Sequence, residues 1–356
     1  MKPPILFYSR DFLNHLTAGH PESPLRLESI LKTLDQYSIL NKLPQREPQQ
    51  LSEDFIYRIH SPHYIRRFAN FSAQAGEGQR IDEDTVVSTG SYPAAQKAAG
   101  AAVDMVNALL KDECDTAFGL VRPPGHHAMP HYLMGFCFFN NIALAALHAL
   151  EQHQLSRVAI IDWDAHHGNG AEAIFYMDPR VFTVSWHQNP NWPGTGQIEH
   201  VGAGPGRGFN LNIPLPKGAG LQSFLTSFDT VVAPALRAYR PELILVAAGY
   251  DAHHADVLTE MNMDASGFAE LTAKIVGLSH HLQCKTGFLL EGGYHLEALS
   301  NGVTATLMTL LNERAQPFSE TLIPAQPELS ERALQYTLHT LEQLQKSHPY
   351  LHKLIQ

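Results

Sequence analysis

The chain has 356 residues, of which 44% are hydrophobic and 17% are charged, and this balance excludes a wholly disordered protein. A chain of this length can bury a sizeable core in one large domain or in two. Because 25 Lys and Arg stand against 35 Asp and Glu, the formal net charge is −10, which argues against a groove for nucleic acid.

Short apolar or β-branched runs alternate with amphipathic stretches along the chain. The runs that we predict to be strands lie near residues 5, 115, 158, 181, 209, 243 and 286. Helical patterns separate most of them, over 25–40, 92–112, 139–154, 221–239 and 266–283. Such alternation predicts an α/β fold with a mostly parallel sheet between two layers of helices, that is, a three-layer α/β/α domain.

Domain boundaries are not visible in the sequence. We find no internal repeat, low-complexity segment or Ser/Gly linker, so we predict one catalytic domain over residues 1–356. A Pro-bearing stretch at 323–327 is predicted to lead into a C-terminal helix at about 328–347.

The three cysteines and the N-terminus bear on the compartment. Cys114, Cys137 and Cys284 have no paired metal-binding spacing and are too few for a disulfide framework, which suits a reducing compartment. The first residues lack the apolar segment of a signal peptide, and no run of about 18 apolar residues occurs. We therefore expect a cytoplasmic protein that does not associate with a membrane.

Polar, Gly-bearing segments follow four of the predicted strands. RPPGHHA follows the strand near 115, DWDAHHGNG the strand near 158, GYDAHHAD the strand near 243 and EGGYH the strand near 286. Ligands of open α/β sheets bind beyond the carboxyl ends of the strands. We therefore expect the four segments to converge on one site.

Asp162, Asp164 and His166 leave the strand near 158 at alternating positions, which directs them to one side. Two of the three can bind one ion, and the third is then free to orient a neighbour. Asp251, which follows the buried run near 243, would complete three protein ligands and leave a position open, as in a catalytic Zn²⁺ site. The alternative is that these acids only cap turns beside solvated histidines.

His126 and His127 follow a turn that two prolines and Gly125 hold rigid. Adjacent imidazoles beside an activated water can divide the proton transfers, one accepting from water and the other donating to a leaving amine. Asp162 is available to hold one imidazole and Asn169 the other. Because a carboxylate favours an imidazolium more than an amide does, the two histidines should differ in proton affinity.

Tyr294 follows the strand near 286 and a Gly-Gly turn that lets it approach the same site. Its phenol can donate a hydrogen bond to the oxygen of a polarised carbonyl. Alone this signal is weak, since a Tyr after Gly-Gly is more often a packing residue, and the other segments strengthen it.

The segments RPPGHHA, MGFCFFNN, DWDAHHGNG, PGTG, AAGYDAHHAD and EGGYH, in this order, resemble the zinc-dependent histone deacetylase superfamily. The resemblance extends from about residue 20 to EGGYH. It is greatest to the class II branch of the superfamily, which has bacterial deacetylases and acetylpolyamine amidohydrolases as relatives. Asn169 is itself typical of class II, since class I members usually carry Asp there. The resemblance implies an arginase-like fold with an eight-stranded parallel sheet.

The same resemblance implies residue roles. Asp164, His166 and Asp251 would bind one Zn²⁺, and the catalytic residues would be His126, His127, Tyr294, Asp162 and Asn169. A structural K⁺ would lie near the zinc, held by Asp162, backbone carbonyls and Ser185. The walls of the substrate tunnel would be Gly135 and Phe136, facing Trp192 and Leu258.

Two positions need comment. Family members often carry Phe where this chain has Trp192, so we expect a narrower, reshaped tunnel rim. Arg26 matches a family arginine that lines an internal cavity, and the alternative is an ordinary surface arginine at the start of a helix.

The leading functional hypothesis is an amide hydrolase that removes an acetyl or other short acyl group from acyl-lysine, in a peptide or protein, or from an acylated small amine. The first alternative is an acetylpolyamine amidohydrolase. Leu258 offers no counter-charge to a second ammonium, which favours acyl-lysine, although the acidic residues 82–84 can supply one instead.

Two further alternatives remain. A dinuclear ureohydrolase needs two extra carboxylates where this chain has segments 167–169 and 251–253, so one metal is favoured. A catalytically silent acyl-lysine binding module is disfavoured because every residue needed for turnover is present. The oligomeric state is open.

Overall fold

The computed structural model describes residues 2–313 and 327–355. At its centre lies a sheet of eight strands, all parallel to their neighbours. In chain order these strands are β1 (Ile5–Phe7), β2 (Gln45–Arg46), β5 (Thr116–Gly119), β6 (Val158–Asp162), β7 (Val181–Gln188), β8 (Asn210–Leu215), β9 (Leu243–Ala248) and β10 (Lys285–Leu290). A separate antiparallel hairpin consists of β3 (Gln79–Arg80) and β4 (Val86–Val87).

Helices cover both faces of the sheet. They are α1 (Leu25–Gln36), α2 (Glu53–Ile56), α3 (Pro62–Gln74), α4 (Ser91–Leu110), α5 (Asn141–Gln152), α6 (Asn169–Phe175), α7 (Leu221–Ser227), α8 (Ala233–Tyr239), α9 (Ala265–Leu282), α10 (Leu296–Leu310), α11 (Pro327–Ser347) and α12 (Pro349–Ile355). Helices α4 and α5 pack together on one face, whereas α1, α9 and α10 form the layer on the other. The predicted α/β/α fold with an eight-stranded parallel sheet is therefore confirmed.

Adjacent residues of one central strand show how the two layers are fixed. Gly287 of β10 packs against Met105 of α4. A Cβ at Gly287 would lie only 2.7 Å from the methionine Cε, so the close contact requires glycine. Phe288 points to the other face, where its ring lies 5.8 Å from that of Trp163. Since successive side chains of a strand alternate between faces, both must be apolar or small when both faces are covered.

The structure differs from the sequence prediction at several elements. Strand β2 was not predicted, since it has only two residues, both exposed, and pairs with β1 through the backbone alone. The helix expected over 25–40 ends at Gln36, with Ser38 in a left-handed conformation at φ 55°. The helix expected over 221–239 is interrupted by a π-helical segment at Phe228–Val232, which ends two residues before Pro234, a residue without a backbone N–H.

The C-terminal helices pack beside the sheet edge at β8. Thr337 of α11 donates a hydrogen bond to the Ser223 hydroxyl of α7 at 3.1 Å. His348, between α11 and α12, lies 2.8 Å from the Asn210 carbonyl of β8. Most of the Pro-bearing stretch, residues 323–326, lies outside the described residues. Over 2–313 and 327–355, none of the helices has both the length and the apolarity that a membrane crossing requires.

The strand order brings the four polar segments together. The order is β2-β1-β5-β10-β9-β6-β7-β8, so β5, β10, β9 and β6 are the four central neighbours. These are the strands that the four segments follow. The chain order also reverses among them, because β5 and β6 are consecutive in the sequence but are separated by β10 and β9. Such a reversal opens a crevice at the carboxyl edge of the sheet.

Candidate active site

Asp164, His166 and Asp251 come together at this carboxyl edge. One ligand atom from each lies within 4.8 Å of the others, and all three side chains are buried. His166 Nδ1 is 2.8 Å from Asp251 Oδ2 and 3.3 Å from Asp164 Oδ1. The alternative, in which these acids only cap turns beside solvated histidines, does not account for the burial of all three side chains.

Backbone amides from neighbouring loops orient the two carboxylates. The Gly292 amide donates to Asp164 Oδ2 at 2.8 Å, and the Ala165 amide donates to Asp251 Oδ1 at 2.8 Å. A Cβ at Gly292 would lie 2.5 Å from Asp251 Oδ2 and 2.6 Å from Asp164 Oδ2, so glycine leaves both carboxylates their space. The cluster is therefore built from the ends of β6, β9 and β10 together.

The charges of this cluster require compensation. Burial and the neighbouring Asp164 charge raise the pKa of Asp251 to about 7. Burial lowers the pKa of His166, but Asp164 and Asp251 outweigh it and raise that pKa to about 10. Two buried carboxylates and an imidazole thus attract positive charge, and their atoms are of the kinds that bind Zn²⁺ in proteins. The donor set fits a divalent cation.

His126 and His127 lie beside the cluster, with ring centroids 3.8 Å apart. His126 Nδ1 is 2.8 Å from Asp162 Oδ2, and His127 Nδ1 is 2.7 Å from Asn169 Oδ1. The structure therefore brings each imidazole to one of the two partners that the sequence suggested.

The two imidazoles differ in proton affinity. Burial lowers the pKa of His126, but the Asp162 and Asp164 carboxylates outweigh it and raise that pKa well above its usual range. Burial lowers the pKa of His127 far below its usual range, and the positive charges of His126 and His166 add to the effect. This is the inequality expected from a carboxylate partner and an amide partner.

The loop that carries the histidine pair is held by a residue to which the sequence analysis gave no role. Glu291, at the end of β10, accepts hydrogen bonds from the Gly125 amide at 2.7 Å and the His126 amide at 3.1 Å through Oε2. Glu291 is fully buried, and burial raises its pKa to about 7. Its only sequence signal is an acid at the end of an apolar strand.

Tyr294 faces the same site from the loop after β10. Its backbone amide donates to Asp256 Oδ2 at 2.7 Å, and Asp256 was likewise not identified from the sequence. Burial raises the pKa of Tyr294 well above its usual range, so the phenol remains a hydrogen-bond donor. Within the described residues, no hydrogen bond is made by the phenol oxygen.

Arg26 lies beneath Tyr294 in the protein interior. The guanidinium carbon is 5.1 Å from the centre of the Tyr294 ring, and Nε donates to the Gly293 carbonyl at 2.7 Å. Arg26 also pairs with the buried carboxylate of Glu22 at 3.1 Å. Because Arg26 is completely buried, the alternative of an ordinary surface arginine is wrong.

A cavity of about 240 Å³ leads from the surface to His127, His166 and Tyr294. All four predicted tunnel residues line it, together with three predicted site residues and with Asp84 and Asn191, which were not predicted as walls. The lining residues are Asp84, His127, Gly135, Phe136, His166, Asn191, Trp192, Leu258 and Tyr294.

Trp192 extends from the mouth of this cavity towards its floor. Its indole ring lies 4.8 Å from His127, edge to face, and a Cβ at Gly135 would lie 2.5 Å from Trp192 Cη2. Gly135 also has a φ of +57°, which favours glycine. The indole thus packs directly against the loop that forms the opposite wall, and the narrower rim remains a prediction.

The remaining predicted residues lie at the edge of the cluster. Asp162 and Ser185 are paired across β6 and β7. Asp162 accepts from the Asp164 amide at 3.1 Å as well as contacting His126, and the Ser185 hydroxyl lies 3.1 Å from His187 Nδ1. The K⁺ remains a prediction.

Within the described residues, a dinuclear metal site at the Asp164 cluster finds no support. His167 lies 2.8 Å from Thr195 Oγ1 and 3.1 Å from Glu172 Oε2, away from the cluster. His253 Nδ1 accepts from the Ala255 amide at 3.1 Å. Over the described ranges, the other group of three candidate ligands is His126, Cys137 and Glu291, of which His126 and Glu291 already have the partners given above.

Comparisons with known proteins agree with this geometry. A family model described as "Histone deacetylase domain" matches residues 20–310. The "Histone deacetylase-like amidohydrolase" of Pseudomonas aeruginosa is 40% identical over 279 residues, which are 78% of this chain and 73% of that protein. The "Probable deacetylase" of Archaeoglobus fulgidus is 36% identical over 296 residues, 82% of this chain and 81% of that protein.

A human relative and a solved structure extend the comparison. The human "Polyamine deacetylase HDAC10" is 35% identical over 320 residues, which are 86% of this chain and 47% of that protein. The crystal structure of the HDA15 HD domain superposes with a TM-score of 0.87 at 29% identity, and the match covers 99% of this chain and 97% of that one.

Proposed function

The chain belongs to the histone deacetylase family and is a hydrolytic deacetylase, and from that premise we propose a zinc-dependent amide hydrolase that removes acetyl or another short acyl group from acyl-lysine. One observation carries the proposal. The buried cluster of Asp164, His166 and Asp251 lies at the inner end of a cavity that His127 and Tyr294 also line.

The three cluster residues would hold Zn²⁺ through two carboxylates and one imidazole, whose ligand atoms lie within 4.8 Å of one another. When bound, Zn²⁺ polarises an amide carbonyl and acidifies water. Proton transfer and stabilisation of the carbonyl oxygen are carried out by residues of the chain.

We assign proton transfer at the reacting atoms to His127. Its Nδ1–H donates to Asn169 Oδ1, which leaves Nε2 as an acceptor for a proton of the attacking water. Once protonated, the same nitrogen can donate to the leaving amine. His126 does not line the cavity, and the Asp162 and Asp164 carboxylates raise its pKa, so we assign it an electrostatic role.

Tyr294 would stabilise the carbonyl oxygen. Its protonated phenol faces the cavity, and a hydrogen bond from it to that oxygen strengthens as negative charge develops during attack. Phe136, Trp192 and Leu258 form apolar walls for the aliphatic stem of the substrate. An acyl group on a long aliphatic stem therefore fits the chemistry of the residues that line the cavity.

A second candidate substrate is an acylated polyamine. Asp84 lines the cavity, so a carboxylate is available near a second ammonium, and one relative is named a polyamine deacetylase. The apolar Leu258 favours acyl-lysine. We also propose a structural K⁺ at Asp162 and Ser185, whose oxygens are supplied by adjacent positions of β6 and β7.

Metal analysis combined with two activity assays tests the proposal. We expect about one Zn²⁺ per chain and hydrolysis of a fluorogenic acetyl-lysine peptide. Faster turnover of acetylspermidine would favour the second candidate. Zinc without turnover of either substrate would contradict the assigned chemistry, and two Mn²⁺ per chain would contradict the single-metal site.

A further inference from the structure

A second, larger depression of about 620 Å³ adjoins the mouth of the active-site cavity. Its walls come from helix α3, the β3–β4 loop and the segment after the histidine pair. We call it the α3 groove and define it by His63, Arg67, Phe71, Asp82, His131 and Tyr132.

The groove and the active-site cavity share two stretches of chain. The β3–β4 loop places Asp82 in the groove and Asp84 in the cavity. The segment after the histidine pair places Tyr132 in the groove and Phe136 in the cavity. The Phe136 amide donates to Thr85 Oγ1 at 3.4 Å, which joins these two stretches. A chain that leaves the cavity on this side therefore reaches the groove.

Hydrogen bonds within the chain hold the walls of the groove together. The Ser61 amide at the start of α3 donates to the Pro130 carbonyl at 2.8 Å, and His60 Nδ1 lies 3.0 Å from the Met129 carbonyl. The Met129 amide donates to the Tyr132 carbonyl at 3.0 Å. These contacts fix the wall that carries Tyr132 relative to α3. Little ordering entropy is then lost when a ligand binds.

The charge of the groove differs from that of the whole protein. Arg67 is exposed, and within 2–313 and 327–355 it has neither an ion pair nor a hydrogen bond, whereas Arg58 and Arg180 pair with acids. The one acid of the groove, Asp82, caps its own loop by accepting the Asp84 and Thr85 amides. In a chain of net charge −10, this groove presents an unpaired cation beside the exposed ring of Tyr132.

We propose that the α3 groove binds the residues that flank acyl-lysine in a peptide or protein substrate, and that it selects a segment with an acidic and an aromatic side chain. The carboxylate would pair with Arg67, and the aromatic ring would pack on Tyr132 and Phe71. This inference rests on the proposed function, because acyl-lysine must occupy the cavity. The cationic tail of a polyamine has no counter-charge at Arg67.

Three substrates and two variants test the inference. The substrates are an acetyl-lysine peptide flanked by Glu and Phe, the same peptide with Lys and Ser flanks, and acetyl-lysine amide without flanks. We expect Arg67→Glu to lower kcat/KM for the acidic peptide about fivefold, mainly through KM, because an exposed ion pair contributes up to about 1 kcal/mol. Activity on acetyl-lysine amide should stay within about twofold.

Arg66→Glu is the matched control. Arg66 is also an exposed arginine of α3, but it lies near Glu53 and outside the groove. The preference of the wild type for the acidic peptide should decrease as salt increases, since the contact is exposed. Equal effects of the two variants, or no preference for acidic flanks, would overturn the inference. Loss of all hydrolysis in the wild type would instead count against the proposed function.

Discussion

The floor and the mouth of the active-site cavity are built in different ways. At the floor, Asp164 and Asp251 are completely buried and receive backbone amides from strand ends. At the mouth, Trp192 is 40% exposed and Leu258 is 38% exposed, and both lie on loops. The floor is thus rigid and contains buried charges that need partners, whereas the mouth is formed by side chains that are partly exposed to solvent.

This difference separates two kinds of effect. A change at the floor leaves a buried charge or hydrogen-bond donor without its partner. The free-energy cost is large, and the substitution affects the chemical step. A change at the mouth alters contacts that water can partly replace, so it acts on substrate choice. Substitutions of similar size should therefore have much larger effects at the floor.

The largest effect is expected for Asp251→Ala. Removal of one of three ligands should lower bound zinc from about one per chain to less than about a tenth and abolish hydrolysis. Metal analysis after dialysis measures this, and thermal melting reports whether the variant folds. Asp229→Ala removes an exposed acid that pairs with Lys274 and serves as the control. Undiminished zinc in Asp251→Ala would remove this residue from the ligand set.

The next effect is expected for Tyr294→Phe. Loss of the phenol should lower kcat about 100-fold or more, with a smaller change in KM, because the hydrogen bond is strongest in the transition state. Steady-state kinetics on an acetyl-lysine peptide measures both constants. Tyr336→Phe, at a tyrosine that is 68% exposed, is the control. A change in kcat below about threefold would place Tyr294 outside the reaction.

The floor could largely be predicted from the sequence. Strands β6 and β9 are continuous apolar runs, and the polar residues directly after them could belong only to the carboxyl edge of a parallel sheet. The partners of His126 and His127 could be suggested because Asp162 was not required as a ligand and Asn169 lies in the same polar segment after β6. Glu291 and Asp256 were missed because an acid that binds backbone amides has no distinctive spacing.

The residues that form the mouth could not be predicted from strand patterns in the same way. Phe136, Trp192 and Leu258 came from family resemblance alone, since loops far apart in the sequence bring them together. The depression that holds the α3 groove likewise joins positions within 63–74, 81–82 and 131–133, which no periodic pattern connects. Strand β2 could not be predicted for a related reason, because only pairing with β1 makes its two exposed residues a strand.

At the mouth, Trp192→Phe tests whether the indole limits the space near the floor. The indole lies 4.8 Å from His127, so a smaller ring should open room beside the acyl group. We expect the ratio of kcat/KM for butyryl-lysine to that for acetyl-lysine to rise roughly fivefold, since one or two methylenes change such ratios modestly. Tyr336→Phe, at an exposed tyrosine of α11, is the control and should leave the ratio unchanged. An unchanged ratio in Trp192→Phe would show that the indole does not limit acyl length.

The smallest effect concerns Asp84 and the choice between acyl-lysine and acylated polyamine. Asp84 is partly exposed at the mouth, and burial together with the neighbouring Asp82 raises its pKa. An exposed ion pair contributes at most about 1 kcal/mol, so Asp84→Asn should lower kcat/KM for acetylspermidine by about threefold. The neutral stem of acetyl-lysine carries no second charge, so its kcat/KM should change by less than about twofold. Glu83→Gln, which removes an exposed acid next to Asp84 that does not line the cavity, is the matched control.

Because Leu258 offers no counter-charge, we expect the wild type to favour the acetyl-lysine peptide over acetylspermidine. A tenfold preference for the polyamine, abolished by Asp84→Asn, would show that one carboxylate at the mouth determines the substrate class.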